Sequence, residues 1–290
     1  MKISVVVTNW NGHSLLKKNL EEIILKSPEA LEIILADDAS TDESIIFVEK
    51  LQKNYSKLKI FKHRKNRGFG RNLNDAVKKS KGDLVVILNN DIRPHKNYIK
   101  NSLKHFKDPK VIGVTFAELG NENYARFFWK QGYLQFEKGH SDKVHISGWL
   151  NGGSSIIRKD LFQKLGGFDQ IYAPFYFEDS DFGYRAWKSG YTLLWEPKSV
   201  VEHKHEATIS KFPKMHLIYV KERNHLIFTR RNISNKSLRL KNNLFSILRI
   251  FSGPNYLKII RAAFRQLKKY PAPIVFPKRT DIEILEMFKK

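Results

Sequence analysis

The sequence predicts an α/β fold, with a mostly parallel central sheet flanked by helices and a basic helical tail. Two patterns point to the sheet. Apolar, β-branched runs alternate with helical segments through the first hundred residues, which implies βαβ units. Three of those runs end in polar or acidic tips, and sheets of this kind bind ligands beyond the carboxyl ends of their strands. The tail is marked by charge. Residues 1–203 hold 32 Lys and Arg against 24 Asp and Glu, whereas residues 204–290 hold 20 against 5.

The elements follow in order. Ile3–Thr8 is a strand that opens into the polar loop Asn9-Trp10-Asn11-Gly12. Ser14–Leu25 reads as a helix with Ser14 as its cap. Leu31–Ala36 is a second strand ending in Asp37-Asp38-Ala39-Ser40, and Thr41 or Asp42 would cap the helix that runs to Leu51. Lys59–His63 is a short third strand. Arg71–Ser80 is helical, with Gly82 as its stop, and Leu84–Leu88 is a fourth strand ending in Asn89-Asn90-Asp91. Beyond it, Val111–Phe116 and Tyr191–Glu196 read as strands, and Asp160–Leu165 and Asp179–Ser189 as helices stopped by Gly166-Gly167 and Gly190. After residue 210 the pattern is helical and basic.

Composition narrows the function classes. At 41% hydrophobic residues the 290-residue chain can bury a sizeable core, which excludes global disorder. With no Cys it has no disulfide, thiolate metal site or Cys nucleophile. The opening MKISVVVTNW runs straight into a polar loop, so no leader peptide is expected. No apolar run approaches the roughly 18 residues of a membrane span, so the chain is expected to be soluble or attached to a membrane surface. A nucleic-acid partner is not expected: no recognition motif is evident, and the acidic tips would repel phosphate unless a metal intervened.

Several clusters carry chemistry. Asp91 behind two amides is a hard-oxygen site suited to Mg²⁺ or Mn²⁺ bridging a diphosphate; an ordinary Asn- and Asp-rich turn has the same composition. Arg64, Arg67 and Arg71 surround Gly68 and Gly70 before a helix, an arrangement for phosphate or simply a solvated basic loop. Glu178, Asp179 and Asp181 follow the aromatic stretch Phe175-Tyr176-Phe177. Desolvation there would raise their pKa and suit a general base, although acids at a helix start also act as caps. His203 and His205 follow a strand end, as metal ligands or as structural histidines.

The order of these clusters resembles the family 2 glycosyltransferases with the GT-A (Rossmann-like) fold, in the rhamnosyltransferase-like group that builds bacterial surface glycans. The matching stretches are VVVTNWNG, LADDASTDES, NRGFGRNLNDAV, GDLVVILNNDI, NGGSSIIRKDLFQKLGGFD, FYFEDSDFGYRAWKSGY and VVEH, spanning residues 3 to about 205. The resemblance implies a catalytic domain over residues 1–210, with a nucleotide-binding half to about 110 and an acceptor half after it, and an extension over 211–290. It implies an inverting transferase using Mg²⁺ or Mn²⁺ and a UDP-, dTDP- or GDP-sugar. Thr8, Asn9, Asn11 and Asp38 would hold the nucleoside, and Asn89, Asn90 and Asp91 the diphosphate, helped by Arg71. Asp91 and His203, with His205 as the alternative, would bind metal. Asp179 would be the base, aided by Glu178 and Asp181. Trp149, Asn151 and Gly152 would meet the acceptor. The first Asp of the family's DxD-like motif is replaced here by Asn89.

In the tail, Leu257, Ile260, Phe264 and Leu267 form one helical stripe, and Lys258, Arg261, Arg265 and Lys268 repeat it one residue on. Such a helix lies on an anionic membrane or docks on the protein with its cations solvated. A glycan or lipid-linked acceptor favours the membrane and places the enzyme on the cytoplasmic face. On this reading the tail positions the enzyme and takes no part in the chemistry.

Overall fold

In the computed structural model, which describes residues 1–120, 124–203, 213–251, 255–273 and 275–289, the four early strands stand side by side. β1 (Ile3–Asn9), β2 (Glu32–Asp37), β3 (Leu58–Lys62) and β4 (Leu84–Asn89) lie parallel in the order β3-β2-β1-β4. Helices α1 (His13–Leu25), α2 (Ser44–Gln52) and α3 (Phe69–Lys79) make the crossovers. The register pairs Thr8 with Asn89 and Asn9 with Asp37, so the polar tips end level with one another.

The sheet continues past β4 through strands of mixed direction. β5 (Ile92–Pro94) and α4 (Tyr98–Leu103) follow β4 in the chain, and β6 (Val111–Glu118) runs two residues beyond its predicted end. β7 (Tyr124–Lys130) and β8 (Tyr133–Gly139) form a separate hairpin, turned by Gln131 and Gly132 at positive φ. β9 (His145–Ile146) and β10 (Ser154–Arg158) precede α5 (Lys159–Lys164) and α6 (Glu178–Lys188). β11 (Thr192–His203) outruns its predicted end at Glu196, so His203 sits on the strand itself. The central order becomes β3-β2-β1-β4-β10-β6-β11-β5, with β10 antiparallel to both neighbours and β11 antiparallel to β5.

Both faces are covered, which is why the strands read as unbroken apolar runs. Val5 and Val7 pack toward α1, α2 and α4, and Val6 toward α3, α5 and α6. The C-terminal helices α7 (Lys214–Asn232), α8 (Lys236–Phe251), α9 (Tyr256–Lys269) and α10 (Asp281–Met287) join this second core. Leu226, Ile227, Phe228, Leu238, Ala263, Ile284 and Phe288 are buried with Phe127, Phe182 and Trp187. The extension is therefore part of the same core.

Three local expectations change. Gly12 is the cap residue of α1 and lacks a side-chain bond; Asp42 supplies it from across the sheet end. Its two oxygens accept from His13 N at 2.9 Å and Ser44 N at 3.0 Å, closing the first turns of α1 and α2 together. Helix α3 ends at Ser80, whose extended backbone breaks it before Gly82. In α9 the buried face is Tyr256, Ile259 and Ala263, while Leu257 and Phe264 of the predicted stripe remain exposed. His205 lies outside the described residues.

Candidate active site

The strand tips are tied by side-chain amides. Thr8 Oγ1 donates to Asn89 Oδ1 at 3.0 Å, and Asn90 Nδ2 donates to Asn9 Oδ1 at 2.7 Å. Asn9 Nδ2 in turn donates to Asp37 Oδ2 at 2.9 Å. Asn11 accepts from Thr41 N at 2.8 Å. These amides hold the tips together, and this approach is possible because Gly12 and Gly153 have no Cβ. One would lie 2.1 Å from Asn90 Nδ2 and the other 2.4 Å from Asn89 Nδ2. Asp38 turns to the following loop, accepting from Arg67 N at 2.7 Å and Gly68 N at 2.8 Å. Arg71 bonds Asp75 at 2.7 Å, one turn along α3.

Asp91 follows in the turn between β4 and β5. Pairing of Ile92 with His203 brings the two side chains together. Asp91 Oδ1 lies 3.2 Å from His203 Nε2, but the approach is not aligned as a hydrogen bond, and this enclosed oxygen has no donor. His203 Nδ1 meets Glu118 Oε1 at 2.9 Å. Burial works against charge on His203, but the carboxylates of Asp91 and Glu118 outweigh it and push the imidazolium up to about 9.

Among the described residues no group of three His, Asp or Glu side chains is disposed to hold a metal. The pair Asp91 and His203 nevertheless fits a divalent cation. It offers an enclosed oxygen without a donor and a histidine oriented through its other nitrogen by a carboxylate. Mg²⁺ commonly takes one or two carboxylates from the protein and completes its shell with phosphate and water. The Asn89 carbonyl turns to Thr8, from which it accepts at 3.0 Å.

Glu118 was not singled out by the sequence, although an acid closing the apolar run VIGVTFAE is a recognisable signal. Its Oε1 also accepts from Asn151 Nδ2 at 2.8 Å and Ser154 Oγ at 2.7 Å. The segment 149–153 thus starts from Glu118 and leads to a second acidic centre. Trp149 lines a cleft of about 420 Å³ with Phe136, Tyr176, Phe177, Glu178, Asp179 and the α7 residues Lys221, Glu222 and His225. Helix α6 lies directly on the segment before Asn151: a Cβ on Gly183 would come 2.0 Å from Gly148 O.

Glu178 and Asp179 open α6. Glu178 Oε2 is enclosed and has no hydrogen-bond partner, and Asp179 Oδ1 accepts from Ser180 N at 2.7 Å. Burial raises both carboxyls above the usual range, and repulsion from Asp179 raises Glu178 further. Asp181, expected beside them, points into the core instead. It accepts from Tyr172 Oη and Asn232 Nδ2, both at 2.8 Å, and from Arg185 Nε at 2.7 Å. Helical spacing puts position 181 on the face of α6 that packs, so it braces the helix and does not line the cleft.

The sequence model of glycosyl transferase family 2 matches residues 4–166, more than half of the chain. The chain belongs to glycosyl transferase family 2. It is 29% identical over 212 residues to the GalNAc(5)-diNAcBac-PP-undecaprenol beta-1,3-glucosyltransferase of Campylobacter jejuni, covering 70% of this chain and 62% of that one. It is 27% identical over 220 residues to the O-antigen chain rhamnosyltransferase RfbN of Salmonella typhimurium, covering 72% and 68%. The fold of this family 2 chain is GT-A. It superposes on GalNAc-T7, solved with UDP, GalNAc and Mn²⁺, with a TM-score of 0.67 at 19% identity, covering 80% of this chain and 48% of that one. The family match ends before Glu178, so the second acidic centre and the helix α7 that walls it lie beyond the matched segment.

Proposed function

We propose that this chain transfers a sugar from a nucleotide-sugar donor to a hydroxyl of a glycan or lipid-linked acceptor in bacterial surface polysaccharide synthesis, inverting the anomeric centre. The observation that carries the reading is the presence of two separate acidic centres in unlike surroundings. One faces a histidine at the strand tips. The other is two desolvated carboxyls in an aromatic cleft, with segment 149–153 between them.

The nucleoside sits against Thr8, Asn9, Asn11 and Asp38, with the diphosphate over Asn89, Asn90 and Asp91 and the acceptor against Trp149, Asn151 and Gly152. Asp91 and His203 would hold Mg²⁺ or Mn²⁺, which supplies charge to offset the departing diphosphate. The base is Asp179. Glu178, pushed higher, keeps its proton and leaves Asp179 the ionised member of the pair. Asp179 takes the proton of the acceptor hydroxyl, and that oxygen bonds to the anomeric carbon. The bond from that carbon to the diphosphate breaks, and its electron pair leaves with the nucleoside diphosphate. One displacement of this kind inverts the centre. The relatives' names point to glucosyl and rhamnosyl donors and to a polyprenyl-diphosphate-linked acceptor in the Campylobacter case.

The helical extension gives this enzyme a membrane-facing side. Leu240, Leu244, Ile247, Leu248 and Phe251 form an exposed row along α8, with Phe251 83% exposed. Lys236, Arg239 and Lys241 lie exposed on the same helix. Between residues 214 and 273 there are fourteen Lys and Arg and one acid, Glu222. An apolar row edged by cations fits an anionic membrane surface. No helix among the described residues is long and apolar enough to cross a membrane.

The decisive experiment measures thermal shifts with UDP, dTDP, GDP and their sugars, with Mg²⁺, Mn²⁺ or chelator, followed by product stereochemistry for the donor that binds. Stabilisation by one nucleotide family only when metal is present, and an inverted product, are expected. A retained anomer would overturn the mechanism.

A further inference from the structure

The chain reaches the two acids of the cleft by a path its backbone resists. Tyr176 and Phe177 have φ of 74° and 80°, in the left-handed region that bulky side chains rarely adopt. Phe177 is the residue from which α6 departs, so its conformation sets where Glu178 and Asp179 point. A path of this kind persists where the surroundings over-determine it.

Those surroundings come from α7. Asn224 is fully buried, and its Nδ2 donates to the carbonyls of Tyr172 at 2.7 Å, Phe175 at 2.9 Å and Tyr176 at 3.1 Å. Two protons thus serve three acceptors spread over five residues of one loop. The direction of the amide is itself set. Arg223 donates to Asn224 Oδ1 through Nε at 3.0 Å and Nη2 at 2.9 Å, which leaves the NH₂ group facing the loop. The same guanidinium donates to Ala173 O at 2.6 Å. An ordinary buried asparagine satisfies its own polar atoms; this one also donates to three carbonyls of the strained path.

We propose that Asn224 is a positioning residue for transfer: its side-chain amide, oriented by Arg223, holds residues 172–177 in the left-handed path that presents Glu178 and Asp179 to the cleft. The proposal rests on the transferase reading for its catalytic consequence, but the clamp itself is a statement about the loop. It makes α7 part of the machinery although that helix lies beyond the family match.

Asn224→Asp tests it, because the shape is kept while the donors are replaced by an oxygen that faces three carbonyls. The expected result is a fall in kcat of about 10- to 100-fold, as for small misplacements of reacting groups, with nucleoside diphosphate affinity kept within about twofold. Amide hydrogen exchange across 175–181 is expected to be faster than in the wild type. The loss in kcat is expected to be smaller when Asn224→Asp is made in a Tyr176→Gly background, because glycine adopts this φ without help. If Asn224→Asp does not fold, Arg223→Met, which frees the amide to rotate, is expected to give the same signature more weakly. Wild-type kcat, a parallel loss of nucleotide affinity, or an equal loss in both backgrounds would overturn the clamp. A wild type that transfers no sugar sinks the transferase reading alone, and unchanged exchange over 175–181 then still overturns the clamp.

Discussion

The two acidic centres use the same residue types in opposite surroundings. At the strand tips, Asp91 and Glu118 face the imidazole of His203, and Glu118 accepts from two further side chains. In the cleft, Glu178 and Asp179 are packed among aromatic rings, and burial is the largest cause of their raised pKa. Opposite charge stabilises an ionised carboxylate, and desolvation disfavours it. On the proposed mechanism the tips hold charge and the cleft moves a proton.

The most direct way to break this contrast is Asp179→Asn. It is expected to lower kcat by about 10³-fold, within the range for losing a general base, and to leave nucleotide affinity nearly unchanged. Calorimetric nucleotide titration beside a transfer assay checks both halves, and retained activity would place the base elsewhere.

At the tips the effect should fall on binding. Asp91→Asn and His203→Ala are each expected to weaken metal-dependent nucleotide binding by about 10- to 100-fold, with Glu118→Gln at the lower end because it acts through His203. Titration with and without Mn²⁺ reads this. Equal loss in the presence of chelator would show that the tips hold the nucleotide without metal.

Glu178→Gln sharpens the comparison through pH. A base whose pKa is raised loses activity as pH falls through that raised value, so the acid limb of kcat should lie above the ordinary carboxylate range. Burial raises Asp179, and Glu178 is still protonated where Asp179 titrates, so Glu178→Gln should leave this limb in place. Stability has its own sign. Glu178 binds its proton more tightly folded than unfolded, so its burial costs stability as pH rises above the unfolded pKa. Glu178→Gln should therefore raise Tm more at pH 8 than at pH 5. A limb that moves to lower pH would show that Glu178 ionises before Asp179, and a Tm that does not respond that Glu178 is already hydrated.

The smallest catalytic effect is expected outside both centres. Leu244→Glu on the exposed row of α8 should reduce co-sedimentation with anionic vesicles and leave transfer to a water-soluble acceptor within about twofold, as surface changes usually do. Substitution is the right test because cutting the chain near residue 236 would remove Leu238, Ile284 and Phe288 from the core. Unchanged vesicle binding would leave that row for another partner.

Much of this was legible in the sequence. Strands one, two and four, their polar tips, Asp91, the acids at the start of α6 and His203 stand out because local patterns encode them. These are period-two or unbroken apolar runs, a change to polar residues at a strand end, and aromatics before acids. Less legible were features that depend on segments far apart. Asp42 caps α1 from a loop 29 residues on. Glu118 acquires its role from His203 and Asn151. Asp181 has the sequence neighbourhood of a base, but its face of the helix packs on Tyr172 and Asn232. The hairpin Tyr124–Gly139 was missed because its aromatic residues lack a clean alternation.

The tail shows the division most clearly. The sequence by itself determined that the tail is helical and basic and that residues 257–268 carry an amphipathic stripe, because charge and periodicity are properties of neighbours along the chain. Which face of each helix is buried, and against what, was decided by the tertiary structure. α9 buries Ile259 and Ala263, α8 leaves its apolar row outside, and α7 sends Asn224 to the loop before Glu178 and Asp179. A periodic stripe shows that a helix has a side to cover, but the shape of the remaining core determines what covers it.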